Sequence, residues 1–147
     1  MEIKRNIDVQ NYLPHREPML MVDKVLEICR EKVVTSFRIS EENIFLDNGY
    51  FSESGIVENM AQTCSTITGQ DLREQIGHHD DPGSQVIGFI TNIKKVKIYS
   101  LPKVGEEILS TAELQSQFGE ICNVHCSVFR DKEILAESDI SLFIKAL

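Results

Sequence analysis

The chain has 147 residues, the size of one domain, with 41% hydrophobic and 26% charged residues, an ordinary globular composition. Its net charge of −8 argues against nucleic acid as a general partner, because phosphate binding needs a basic field. No apolar run approaches the roughly 20 residues that span a bilayer, and MEIKRNIDVQ lacks the apolar stretch of a secretory signal. The expected setting is therefore the cytoplasm, and the cysteines at 29, 64, 122 and 126 are expected to be reduced.

The elements read as follows. Residues 7–18, IDVQNYLPHREP, form an opening with two prolines and one helical turn. Strands are expected over 19–29 and 33–40. In the second, Val33, Thr35, Phe37 and Ile39 share one face and Ser36, Arg38 and Ser40 the other, the period of a half-buried strand. Residues 41–52 are irregular, with a turn at Asp47-Asn48-Gly49. Ser52 or Ser54 is placed to cap a helix running to about Gln75, and Gly77 is its stop signal. Four strands follow, near 86–99, 106–118, 121–130 and 133–145, with breakers at Pro102 to Gly105, Gly119 and Asp131-Lys132. The order β-β-α-β-β-β-β predicts a single α+β domain over 1–147, one long helix against an antiparallel sheet.

On the helix, Ile56, Val57, Met60, Ala61, Cys64 and Ile67 fill one sector at about 100° per residue, and Glu58, Gln62 and Ser65 fall just past its edge. Glu58 is either solvated there or faces a site. Cys122 and Cys126 lie four apart on a strand, about 13 Å from each other, too far to share a metal or a disulfide. No metal site is expected. His15 reads as a turn residue, His78 and His79 as loop residues, and His125 as an outward-facing strand residue. Lys94, Lys95 and Lys97 form a local basic patch, which is either a solvated strand face or a steering surface for an acidic partner.

Two stretches read together: YLPHREPMLMVDKVLEI over 12–28 and ENMAQ over 58–62. In this order and separation they resemble the hot-dog-fold β-hydroxyacyl-acyl-carrier-protein dehydratases, whose opening carries Leu-Pro-His-Arg-x-Pro and whose helix carries Glu-Ala-Met-Ala-Gln. GFITNIKKVKIYSLPKVGEEIL over 88–109 resembles that family's next two strands. The second half of the first motif and the Asn-rich loop resemble the branch associated with aryl polyene pathways.

The resemblance implies a 3-hydroxyacyl thioester as substrate, carried on phosphopantetheine by acyl carrier protein or coenzyme A, with no further cofactor. It implies a carboxylate at Glu58 working at the β-hydroxyl, and substrate contacts at Ser54, Gly55, Gln62, Gly88 and Phe89. Arg16, Lys94, Lys95 and Lys97 would meet the carrier. It also implies a homodimer or heterodimer of hot-dog units, and the strand-rich second half, with apolar Ile134, Ile140, Leu142 and Ile144, leads to the same expectation of at least a dimer. The chain departs from the family at its catalytic histidine: counting back from Glu58 gives Asn43-Ile44, and no histidine occurs from 16 to 77. Asparagine is no base at neutral pH. Asn43 is expected across the scissile bonds from Glu58, and His15 is the first candidate for a replacement base. The alternatives are a hot-dog acyl thioesterase, or a non-catalytic subunit that binds the acyl carrier beside a complete dehydratase.

Overall fold

The computed structural model describes residues 3–75 and 86–146, and the side chains of 3–67 and 88–145. His78, His79 and Gly77 lie outside the described residues. In chain order the elements are β1 (Lys4–Asp8), a 3-10 turn (Val9–Asn11), β2 (Lys24–Ile28), β3 (Lys32–Arg38), β4 (Leu46–Asp47), β5 (Tyr50–Phe51), α1 (Glu53–Gln75), β6 (Val86–Ile98), β7 (Glu107–Phe118), β8 (Ile121–Arg130) and β9 (Glu133–Ala146). Seven strands form one antiparallel sheet in the order β1-β2-β3-β7-β8-β9-β6, with β4 and β5 as a separate hairpin.

The alternating strands behave as their period demands. Along β8, Cys122, Val124, Cys126 and Val128 are buried while Asn123, His125 and Ser127 are only partly covered. Helix α1 lies against the inner face and buries Ile56, Met60, Cys64 and Ile67 there. Each such aliphatic side chain contributes about 1.5–3 kcal/mol on burial. This is the expected hot-dog architecture, one long helix against a large antiparallel sheet.

Three local expectations differ. β1 was not foreseen: KRNID carries no apolar period, and its ladder to β2 (Ile7 opposite Val25) exists only because β2 presents a free edge. The expected strand over 19–29 shrinks to Lys24–Ile28. Within the lost portion, Met21 gives its N–H to Gln62 and its C=O to Asn59, so helix side chains take the groups that a ladder would have used. The irregular stretch 41–52 contains the β4–β5 hairpin. Its two turn residues, Asn48 at φ 50° and Gly49 at φ 82°, both occupy the left-handed region that a two-residue hairpin turn requires.

The basis expected for self-association is also corrected. Ile140, Leu142 and Ile144 face the core and are buried, and of the four only Ile134 is exposed. Exposed apolar residues instead collect on β6, the edge strand. By register Ile90 and Ile93 oppose Leu142 and Ile140 and so face the inner side, yet both are exposed. An edge strand of 13 residues with open apolar side chains is a ready template for pairing. No helix among the described residues is long and apolar enough to cross a membrane.

Candidate active site

The start of α1 is set by Ser52. Its carbonyl accepts the Ile56 N–H at 3.0 Å and its hydroxyl accepts the Gly55 N–H at 3.3 Å, an N-cap. Of the two candidate caps, Ser52 is the one used, and Ser54 is exposed in the first turn. Gly55 is buried, and a Cβ there would run into the ring of Phe51. Phe51 is itself fully buried and packs tilted on Phe37 with centroids 5.8 Å apart. The bare backbone at Gly55 is thus required by the aromatic ring under the helix.

One and a half turns on, Glu58 stands at a covered edge. Gln62, one turn further along the same face, is 1% exposed and uses its whole amide. Its Nε2 donates to Met19 O at 2.8 Å and to Glu58 Oε1 at 2.9 Å, while its Oε1 accepts the Met21 N–H at 2.7 Å. Neither donor hydrogen is left over, so the amide cannot turn and the carboxylate is held. The residues covering this edge come from the opening segment, about forty positions earlier in the chain. Glu58 itself stays open, with 30% of its side chain exposed.

That segment also brings His15. Its Nε2 lies 4.0 Å from Glu58 Oε1, and its side chain is 33% exposed. Its Nδ1 is buried with no hydrogen-bond partner among the described residues. A buried polar nitrogen without a partner is uncommon and costly. His15, Glu58 and Gln62 are therefore brought together by the fold. The imidazole and the carboxylate are close enough to serve one small reacting group and too far apart to be joined by a short hydrogen bond.

Asn43 is placed differently. Its Oδ1 accepts the Phe45 N–H at 2.8 Å, closing a local turn, and its Nδ2 donates to Met21 Sδ at 3.3 Å. Its amide oxygen and one of its two N–H groups are engaged by its own loop and by the opening segment. Arg16 donates to Leu13 O at 2.9 Å and to His15 O at 2.8 Å, which ties down the turn around His15. Gly88, Phe89 and the three lysines lie on β6, at the sheet edge, and all are exposed. Lys94 and Lys97 are register partners of Asp139 and Glu137 on β9, so acidic neighbours offset the patch. No described contact joins β6's lysines to Arg16.

Two further groups can be assigned. Burial, and then the neighbouring Cys126, push the Cys64 thiol well above its ordinary range, so it stays protonated and inert. A cleft of about 320 Å³ opens between Arg38, Glu106, Glu107, Leu109, Arg130 and Asp131. None of the candidate residues lines it. Its cations are already matched, Arg130 to Glu106 at 3.2 Å and to Glu133 at 2.6 Å, and Arg38 to Glu107 at 3.5 Å. Among the described residues no cluster of three or more metal-ligating side chains occurs.

Asn59 is not among the residues that the sequence singles out. It is fully buried, donates from Nδ2 to Met21 O at 2.7 Å, and accepts from Ser110 Oγ at 2.6 Å. A polar residue next to Glu58, inside an otherwise apolar helical run, was the available signal.

Known proteins match the chain in sequence and in fold. Residues 7–146 match the ApeP-like family model, described as ApeP dehydratase. The chain is 26% identical over 144 residues to the 3-hydroxyacyl-(acyl-carrier-protein) dehydratase FabZ of Campylobacter lari, covering 94% of this chain and 95% of that protein. It is 28% identical over 144 residues to FabZ of Rhizobium johnstonii, covering 94% and 87%. Among solved structures, the dehydratase heterocomplex ApeI:P from Xenorhabdus doucetiae superposes with a TM-score of 0.80 at 19% identity, over 95% of this chain and 91% of that one. Zebrafish thioesterase superfamily member 2 superposes with a TM-score of 0.66 at 16% identity, over 89% and 87%.

Proposed function

The chain belongs to the ApeP-like dehydratase family, and from that premise we propose that it removes water from a 3-hydroxyacyl thioester delivered by acyl carrier protein, with Glu58 and His15 as its acid–base pair. The observation that carries this reading is the pair itself: a carboxylate held by Gln62, with an imidazole nitrogen 4.0 Å away and both side chains open to solvent.

The chemistry asks for two proton movements on adjacent carbons. A base takes the proton from the α carbon, the C–H electron pair becomes the double bond, and the β C–O bond breaks. An acid delivers a proton to the departing oxygen, which leaves as water. His15 Nε2 takes the α proton, in place of the family histidine that has no counterpart near Asn43. Glu58 works at the β-hydroxyl. The positive end of α1 favours the negative charge that gathers on the thioester oxygen.

In this reading β6 pairs with the same edge of a second hot-dog unit. The substrate carrier is a carrier protein, as in the names of the FabZ relatives. The second unit is another copy of this chain or, as in the ApeI:P heterocomplex, a different hot-dog protein.

The test is incubation with a 3-hydroxyacyl thioester of carrier protein and of coenzyme A. Dehydration is read as the absorbance of the enoyl thioester, and hydrolysis as free thiol. Enoyl product that disappears in Glu58→Gln is expected. Thiol release without enoyl product overturns the reading in favour of a thioesterase. Neither product, from the chain alone and with a co-expressed hot-dog partner, leaves a binding subunit.

A further inference from the structure

We propose that Asn59 is a positioning residue of this site: acting through Met21, it fixes the opening segment so that His15 stands against Glu58. The inference rests on the reading of His15 and Glu58 given above.

The opening segment has no ladder of its own between Met19 and Val22. Its backbone is held by two helix side chains one turn apart. Gln62 takes Met19 O and Met21 N, and Asn59 takes Met21 O. From there the connection to His15 is short and closed. Met19 and Leu20 donate their N–H groups to Arg16 O at 2.9 and 3.1 Å, and the Arg16 guanidinium returns to Leu13 O and His15 O. Every link from Asn59 to the His15 peptide is thus a hydrogen bond or a covalent turn.

Asn59 adds a third anchor that Gln62 lacks. Ser110 on β7 donates to its Oδ1 at 2.6 Å, so one amide ties the opening segment, the helix and the sheet. The amide is fully buried, where an unmade hydrogen bond is expensive and a made one is rigid. The Asn59 side chain makes no described contact with the side chain of His15 or of Glu58, its neighbour in the chain. Removing it tests positioning without altering the reacting groups, whereas removing Gln62 frees the carboxylate directly.

The same helix supplies a control. Thr63 is equally buried and bonds Thr35 on β3 at 2.8 Å, with no described contact to the opening segment. Asn59→Ala/Ser110→Ala and Thr35→Val/Thr63→Val each remove one buried polar tie between α1 and the sheet. Only the first frees Met21 O.

The experiment follows the His15 ring resonances by NMR through a pH titration, with and without Glu58→Gln, in the parent and in both double variants. In the parent and in Thr35→Val/Thr63→Val, Glu58→Gln is expected to shift the His15 titration by the same amount. In Asn59→Ala/Ser110→Ala that response is expected to fall below about half, the sign of lost coupling between the two side chains. If this variant does not fold, Asn59→Leu, which keeps the volume and loses the amide, is read in the same way. A full response in the Asn59 variant, or an equal loss in the threonine variant, overturns the positioning role. No response in the parent overturns the His15–Glu58 pairing itself, and the positioning role with it.

Discussion

Among the described residues two histidine–carboxylate pairs occur, and the tighter one lies away from the proposed site. On the outer sheet face His125 Nδ1 meets Asp139 Oδ1 at 2.7 Å, and Ser127 Oγ lies 3.4 Å from Nε2. Beside the helix His15 Nε2 and Glu58 Oε1 stand 4.0 Å apart. His125 and Asp139 are direct register partners on β8 and β9, facing solvent beside other polar rungs such as Asn123 opposite Ser141. Their contact is what any histidine and aspartate make when strands place them side by side. Backbone N–H groups on that face are used in the ladder, so nothing is left to stabilise a developing oxyanion. The looser pair has an immobilised carboxylate, a partly buried ring and space between the two. Proximity of chemical types is therefore a weaker guide than the company each group keeps.

The largest expected effect separates the pairs directly. Glu58→Gln lowers the dehydration rate about 10²–10⁴-fold, the scale of a positioned acid or base. Asp139→Asn, with a contact 1.3 Å shorter by the same measure (4.0 against 2.7 Å), leaves the rate within about twofold. Steady-state assays on the two variants decide it, and equal losses would erase the distinction.

Next come the histidines. His15→Gln is expected to lower kcat by about 10²-fold or more and to remove the limb of the pH–rate profile that reports the base. His125→Gln keeps both the rate and the profile. A His15→Gln enzyme with an unchanged profile would move the base elsewhere and leave Glu58 alone at the site.

The frames under the two pairs can then be disturbed without touching either. Gly55→Ala forces a Cβ against the Phe51 ring beneath α1, an overpacking that costs about 1–3 kcal/mol and tilts the turn leading to Glu58. Gly119→Ala, in the β7–β8 turn at φ 59°, costs about 1 kcal/mol because the left-handed backbone no longer suits the residue. Denaturant unfolding reads both costs. Activity of the folded protein is expected to fall only for Gly55→Ala.

The smallest effect concerns Asp23, two residues beyond Met21. Burial is the main cause raising its carboxyl above the ordinary value, only partly opposed by the Arg38 N–H it accepts at 2.8 Å. A raised folded-state pKa means that the folded form holds the proton more tightly than the unfolded form. Asp23 therefore contributes stability below its unfolded pKa, and that contribution is lost as pH rises through the folded value. Its side chain is still open to solvent, so the change is small. Asp23→Asn should flatten this part of the stability profile, as followed by thermal unfolding across the acidic range.

Much of the architecture was legible because it depends on period and punctuation. β8 alternates throughout and β3, β7 and β9 over most of their length, so most of their inner faces can be read from the period, and α1 carries its apolar stripe as spaced; Ser36, expected on the outer face of β3, is buried, and bulges interrupt β7 and β9. The rest was hidden for identifiable reasons. β1 is polar and owes its strand to a neighbour's free edge. The short β4–β5 hairpin has only two residues per strand, too few to show a period. Met19 to Val22 looks like strand by composition, but its hydrogen bonds go to side chains.

Within ENMAQ, sequence alone determined that a carboxylate and an amide lie one turn apart at the edge of the apolar stripe, since helical geometry is local. It could not decide whether that edge met water or a site. Only the tertiary structure laid residues 12–22 along it, turned Gln62 and Asn59 inward to hold Met19 and Met21, and set His15 beside Glu58. The physical reason is that burial and side-chain hydrogen bonding are relations between segments some forty residues apart, and no window along the chain contains both partners.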